Sequence, residues 1–151
     1  WRRVILAFLA SDLLCYRAST PHALAQRQTA AFDPLLGWAA SQGIRLATGE
    51  GVAFIEQPAS AIAAGAGLLN AATADEMIAI KTAAEIAGSA VVALAMWRNA
   101  FPAEPLFEIS RTDEAFQAEK WGQDAEVLAR IRRLKTDFLD AARYSGLVSA
   151  V

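Results

Sequence analysis

The segment from Met77 to Trp97 constrains the fold more than any other part of the chain. It is long and apolar, with Lys81 and Glu85 as its only charged side chains. Thr73-Ala74-Asp75-Glu76 ahead of it matches a capping box, in which a hydroxyl and a carboxylate each bond the other residue's backbone N–H. A helix is therefore predicted from about Asp75 to Arg98. Its uninterrupted apolar part after Glu85 is only about half of the roughly 20 residues needed to cross a bilayer. Burial in a protein core is the better reading. The small side chains of Ala87-Gly88-Ser89-Ala90 offer a place where another helix can approach closely.

The remaining segments also read mostly as helix. Val4, Ile5, Phe8 and Leu9 fit an amphipathic helix at the start. The basic residues before this apolar run resemble a signal peptide, but the run is short and no methionine precedes it. Ser11–Arg17 reads as an extended connection. Ser19-Thr20-Pro21 predicts a helix start with a hydroxyl N-cap and proline in the first turn, running to about Ser41. Asp33-Pro34 predicts either a kink there or a second helix capped by Asp33. Ile44–Thr48 and Val52–Ile55 lean towards strand and suggest a small β-hairpin or extended element near residues 44–55. Pro58 opens an alanine-rich helix that Gly65 and Gly67 are expected to loosen. Pro105 starts a helix through residues 109–122, and Asp124 starts another with apolar positions from Val127 to Leu139, ended by Gly146. The fold class is mainly α: one compact bundle of about five to six helices with one small β element.

The stretch ISRTDEAFQAEKWG at residues 109–122 carries the most functional information. On one helix, Ser110, Glu114, Gln117 and Trp121 share a sector of roughly 60°, because each residue advances about 100°. Leu106, Ile109 and Phe116 occupy the neighbouring sector. A stripe of carboxylate, amide and indole suits contact with another protein and is poorly equipped for bond-breaking chemistry. Trp121 reads either as core or as an anchor at an interface edge, where tryptophan is enriched. Trp38 reads as core, and Trp97 as partly exposed.

Charge and composition narrow the functional classes. The 14 basic and 16 acidic residues give a net charge of −2, so no bulk attraction to nucleic acid or anionic membrane is expected. Arg130, Arg132, Arg133 and Lys135 are flanked by Glu126, Asp137 and Asp140 and read as a solvated helix face. Cys15 is the single cysteine and His22 the single histidine. A disulfide framework, a multi-cysteine zinc site and a catalytic triad are therefore not expected. Asp113 and Glu114 are adjacent and diverge on a helix, so they form no acid/base pair. Asp12, Asp33, Glu50 and Glu114 would serve an enzyme only if the fold brought them together. The local readings are that Asp12 bonds a turn, Asp33 caps a helix and Glu50 lies in a solvated loop. The glycines lack the spacing of a phosphate loop. No cofactor or metal is expected.

Four blocks of sequence, in order, resemble one family. They are DLLCYRA at residues 12–18, RQTAAFDPLLGWA at 27–39, AGSAVVALA at 87–95 and SRTDEAFQAEKWG at 110–122. The chain resembles the assembly chaperones of the ATP synthase catalytic sector that hold the alpha subunit before the alpha-beta hexamer forms. The last block is the most specific: Ser-Arg-x, acidic residues, an aromatic, then Gln and Trp-Gly. Ala115 departs from the commoner acidic residue at its position. The resemblance implies an ATP-independent holdase that covers an aggregation-prone surface of the alpha subunit. It implies an α+β family whose N-terminal β-rich region precedes residue 1, so that residues 1–151 form a single helical domain, the C-terminal part of a longer chaperone. By carry-over Glu114 is the important acidic residue, with Asp113 beside it and Gln117, Trp121 and Ser110 on the same client-binding face. Tyr16, Arg17 and Asp33 fall on family motifs as supporting residues.

Two other classes compete with this reading. One is a helical enzyme using carboxylates for acid/base work; the other is a helical scaffold that self-associates through Ala87–Ala90. Convergent carboxylates in a pocket would favour the enzyme, and Glu114 at the edge of an open groove the chaperone. The resemblance further implies a monomer with the alpha subunit as partner, no nucleic acid and no membrane insertion. It implies a bacterial cytoplasmic location, with the mitochondrial matrix as the alternative.

Overall fold

The computed structural model describes residues 1–150. In chain order its elements are α1 (Arg2–Ala10), a 3-10 turn (Leu13–Cys15), β1 (Tyr16–Arg17), α2 (His22–Ser41), β2 (Gly49–Glu50), α3 (Ala59–Leu69), α4 (Ala74–Ala87), α5 (Ala90–Trp97), α6 (Ala103–Ser110), α7 (Thr112–Trp121) and α8 (Ala125–Ser149). The mainly helical class is as predicted, and the eight α-helices among the described residues exceed the expected five to six. The extra ones come from breaks inside segments expected to be continuous.

The most apolar segment contains one such break. The capping box forms at Thr73 and Glu76, but the helix stops at Gly88, whose φ of +68° suits glycine. Ser89 then caps α5, its hydroxyl accepting from Val92 N at 3.1 Å. Every residue of α5 is buried, Trp97 included, so the expected partial exposure of Trp97 is corrected. α1, α2, α4, α6 and α8 all pack against it. A helix apolar on every side must be enclosed in this way.

Asp12 fixes the start of this central helix. It is fully buried, and its Oδ2 accepts from Val91 N at 3.0 Å. Its Oδ1 accepts from Ser89 Oγ at 2.7 Å and from Leu14 N at 3.2 Å. A carboxylate at a helix N-terminus satisfies orphan N–H groups and meets the positive end of the helix dipole. Asp12 does bond a turn, as predicted, and also clasps the core helix from 77 residues away.

Around α5 the other helices follow their apolar faces. Ile5 and Leu9 of α1, Phe32 and Leu35 of α2, and Leu106 and Phe107 of α6 are buried. Phe107 meets Phe138 of α8 with ring centroids 5.8 Å apart. α2 runs unbroken through Pro34, so neither a second helix nor an Asp33 cap forms. Ala30 and Pro34 are exposed, so water can serve the carbonyl that the missing N–H leaves free. Asp33 instead accepts from Arg17 Nη2 at 2.8 Å. The predicted hydroxyl cap at Ser19-Thr20 is also absent, since Pro21 is the N-cap and no side chain bonds there. Trp38 is half-buried rather than core, and α8 continues past Gly146 to Ser149.

The β element near residues 44–55 is extended rather than a hairpin. β2 pairs in parallel with β1, Tyr16 opposite Gly49 and Arg17 opposite Glu50. The loop that carries β2 is closed by Gln57, which accepts from Ala47 N at 2.7 Å and donates to Ala47 O at 2.9 Å. Among the described residues no helix is long and apolar enough to cross a membrane.

The two glycines of α3 differ. A Cβ at Gly65 would stand 2.5 Å from Leu9 Cδ2, so α1 and α3 touch through this residue. At Gly67 no atom lies within 4 Å. Gly67→Ala should therefore raise stability by about 0.5–1 kcal/mol by removing chain entropy from the unfolded state. Gly65→Val should lower it by about 1–3 kcal/mol through overpacking. Urea denaturation of both variants checks the opposite signs.

Burial pushes the Asp12 carboxyl up from 3.8 to about 6, against the lowering pull of its hydrogen bonds. A group that binds its proton more tightly when folded contributes most stability below its unfolded pKa. That contribution falls as pH rises from 3.8 to about 6 and is level above. The stability of the wild type relative to Asp12→Asn should fall across the same window. Asp12→Ala strands three donors and should cost roughly 3 kcal/mol or more at neutral pH. Thermal and urea unfolding at several pH values measure both.

Candidate interaction surface

The 109–122 motif is two helices, α6 and α7, with a joint at Arg111. Ser110 Oγ donates to Phe107 O at 2.6 Å, and Thr112 Oγ1 to Ile109 O at 2.6 Å. Such side-chain bonds compete with the helix ladder for the same carbonyls. Ser110 is consequently buried, 6% exposed, and lies beneath the face that the other motif residues share. The expected single stripe is thus shortened at its N-terminal end.

α7 is fastened to α2 along one side. Phe116 is its main buried apolar residue. Buried Gln28 of α2 donates from Nε2 to Asp113 Oδ1 at 2.8 Å, while its Oε1 accepts from Ala18 N at 2.8 Å. Arg27 grips both carboxylate oxygens of Glu119, at 2.9 and 3.0 Å, and lies over the Phe116 ring. The Arg27 guanidinium holds the Glu119 carboxyl below its ordinary pKa, and its own is raised in return. These bonds assign Asp113 to the inner side of α7.

The outer side carries Glu114, Gln117 and Trp121, all exposed, with Trp121 at 84%. Glu114 Oε1 accepts from Arg111 Nη1 at 2.9 Å. Arg111 is itself mostly buried, lies over the Phe107 ring and donates from Nη2 to Ile86 O at the end of α4. The guanidinium thus joins Glu114 to the end of the longest apolar segment. Glu114 stands between two hollows. One, of about 380 Å³, is bounded by Gln117, Trp121, Val127 and Arg130. The other, of about 410 Å³, is bounded by Ile86, Arg111, Arg130 and Leu134. Gly122, at φ +74°, turns the chain, and Asp124 Oδ1 caps α8 by accepting from Val127 N at 2.8 Å. Arg111 and Gln28 were not expected at the site, and Arg130, expected on a solvated helix face, borders both hollows. Only the spacing of Arg111 three residues before Glu114 signalled one of them.

The supporting residues form a separate corner. Arg17 bonds Leu14 O through Nε at 2.8 Å, pairs with Asp33 and lies over the Phe32 ring. Tyr16 OH accepts from Ile55 N at 3.3 Å. Among the described residues none of these three bonds α7. The four carboxylates that an enzyme would need do not converge: Asp12 is in the core, Asp33 faces Arg17, Glu50 edges β2, and Glu114 faces Arg111. Among the described residues no group of three or more His, Cys, Asp or Glu is placed to hold a metal ion.

The family model described as ATP12 chaperone protein matches residues 1–40. The fold extends the match. It is similar to the Atu1473 protein of Agrobacterium tumefaciens, a candidate chaperone, with 40% identity over 95% of this chain and a TM-score of 0.88. The chain is similar to ATP12 chaperones, in sequence over residues 1–40 and in fold over nearly all of its length. Atp12 of Paracoccus denitrificans gives a TM-score of 0.92 with 29% identity over 97% of this chain, and a mutant of that protein gives 0.92 with 28%. The chain spans 54% of the length of the Agrobacterium protein and 63% of the Paracoccus Atp12.

The seating of α7 on α2 depends on apolar burial more than on its surface ion pair. Phe116→Ala should lower stability by about 3 kcal/mol. Arg27→Ala, which removes an exposed pair, should lower it far less. Denaturation curves for the two variants give the comparison.

Proposed function

We propose that this chain is the helical part of an ATP-independent assembly chaperone that binds the unassembled alpha subunit of the ATP synthase catalytic sector and protects it from aggregation. The observation that carries this reading is the outer side of α7, where Glu114, Gln117 and an indole 84% exposed surround an open hollow. Large exposed apolar groups rimmed by polar ones mark sites where proteins meet. The similarity to ATP12 chaperones and the four sequence blocks support the choice of client. Glu114 is already poised by Arg111, with its second oxygen available to an arginine or backbone amide of the client. Exclusion of water on docking strengthens such a charge-assisted bond. Asp113 and Ser110 act from beneath, holding α7 in place. Tyr16, Arg17 and Asp33 brace the chain leading into α2. The reading is non-enzymatic, monomeric and free of cofactor, and it fits a bacterial cytoplasm or a mitochondrial matrix.

Separately expressed alpha and beta subunits test it. The chain should retain alpha and not beta on co-purification. Glu114→Lys should weaken retention at least tenfold while leaving the melting temperature unchanged. Undiminished binding by that folded variant overturns the role of Glu114, and failure of the wild type to retain alpha overturns the client.

A further inference from the structure

We propose that the interaction surface does not end at α7 but continues as one trough along α8, and that its occupant is a basic amphipathic segment of the client. The inference rests on the chaperone reading above.

Continuity is the first observation. The hollow beside Trp121 and the one beside Arg111 share Glu114 and Arg130. A third hollow, of about 470 Å³, lies between α4 and α8 and shares Glu85 and Ile86 with the second. The three follow one flank of α8 from Asp124 to Tyr144. At 1.5 Å per residue that is about 30 Å, enough for five or six turns of a partner helix.

The lining is the second. Ile78, Trp121, Val127 and Tyr144 are among the large apolar residues that remain exposed in this fold, and all four border the trough. Ile78 and Tyr144 stand at one end, Trp121 and Val127 at the other, with Ile86 and Leu134 between. An apolar floor reaching both ends suits the apolar face of an amphipathic segment laid lengthwise.

Charge selects the chemistry of that segment. Glu85, Glu114, Asp124, Asp137 and Asp140 line the trough, against Arg111 and Arg130. The chain as a whole is nearly balanced, so this excess is local. The α4–α8 end carries Glu85, Asp137 and Asp140 and no cationic lining residue. Lys81 and Arg143 each engage one of these acids from outside the lining, and Asp137 has no ion-pair partner among the described residues. Lysines or arginines of the client fit this end, and complementary charge speeds docking and fixes its register.

The test measures binding of isolated alpha subunit to the full chain at low and high salt. Asp137→Lys/Asp140→Lys is expected to weaken binding at least tenfold at low salt, with the melting temperature retained because both residues are exposed. Ile78→Ser should weaken it about threefold or more at either salt. Glu50→Lys/Glu56→Lys, an equal charge change away from the trough, should leave binding within twofold. Wild-type affinity in the first two variants, with loss in Glu114→Lys, overturns the trough and leaves the α7 reading standing. If the wild type does not bind alpha, the chaperone reading falls and takes the trough with it. If the double variant instead dissociates a dimer of this chain and keeps its affinity for alpha, the occupant is a second copy and the proposal is overturned.

Discussion

A buried carboxylate holding the start of a buried helix is the constraint on which the rest of this fold depends. α5 has no solvated face, so water cannot reach its first N–H groups. Their partners must come from the protein, and Asp12 and Ser89 supply them. Because Asp12 belongs to the connection after α1, the same bonds draw the N-terminal helix and the 3-10 turn against the core. Leu13 N donating to Gly88 O at 3.1 Å closes the junction from the other side. The alternative, a solvent-filled gap at that junction, would forfeit the packing of α1, α2 and α4 on α5.

From this core outward the structure becomes progressively more polar in what joins its parts. α5 is enclosed by apolar side chains, whereas α7 meets α2 through Phe116 and a set of polar bridges. At the outer edge, Glu114 is held by Arg111, whose other contacts reach back to Phe107 and Ile86. Glu114 is therefore tied to the core through one guanidinium, while the helix beneath it is seated by Phe116 and the polar bridges to α2.

The sequence was legible where a pattern is local. The capping box at Thr73 and the helical repeat after Asp124 fall where expected, and the β element near residues 44–55 takes its extended form. Most of the misreadings come from partners distant in the chain, and that of Ser110 from a bond within its own motif. Gly88 looked like a packing site and is a stop, because Asp12 offers the next helix a better start. Asp33 looked like a cap and is claimed by Arg17. β2 found its neighbour in β1, not in the adjacent run. Ser110 matched the stripe by angle and left it because a hydroxyl bond inside the motif broke the helix. The exposure of Trp121 could not be read from spacing, since core and rim tryptophans share the same helical positions.

The two joints that isolate α7, at Arg111 and Gly122, have a thermodynamic corollary. A ten-residue helix with only Thr112 and Phe116 buried rests on the core through few contacts, so α7 is the segment expected to open most readily short of global unfolding. The chain thus separates two requirements that conflict in a single rigid body. The core persists, while the segment that meets other molecules is free to adjust its seat.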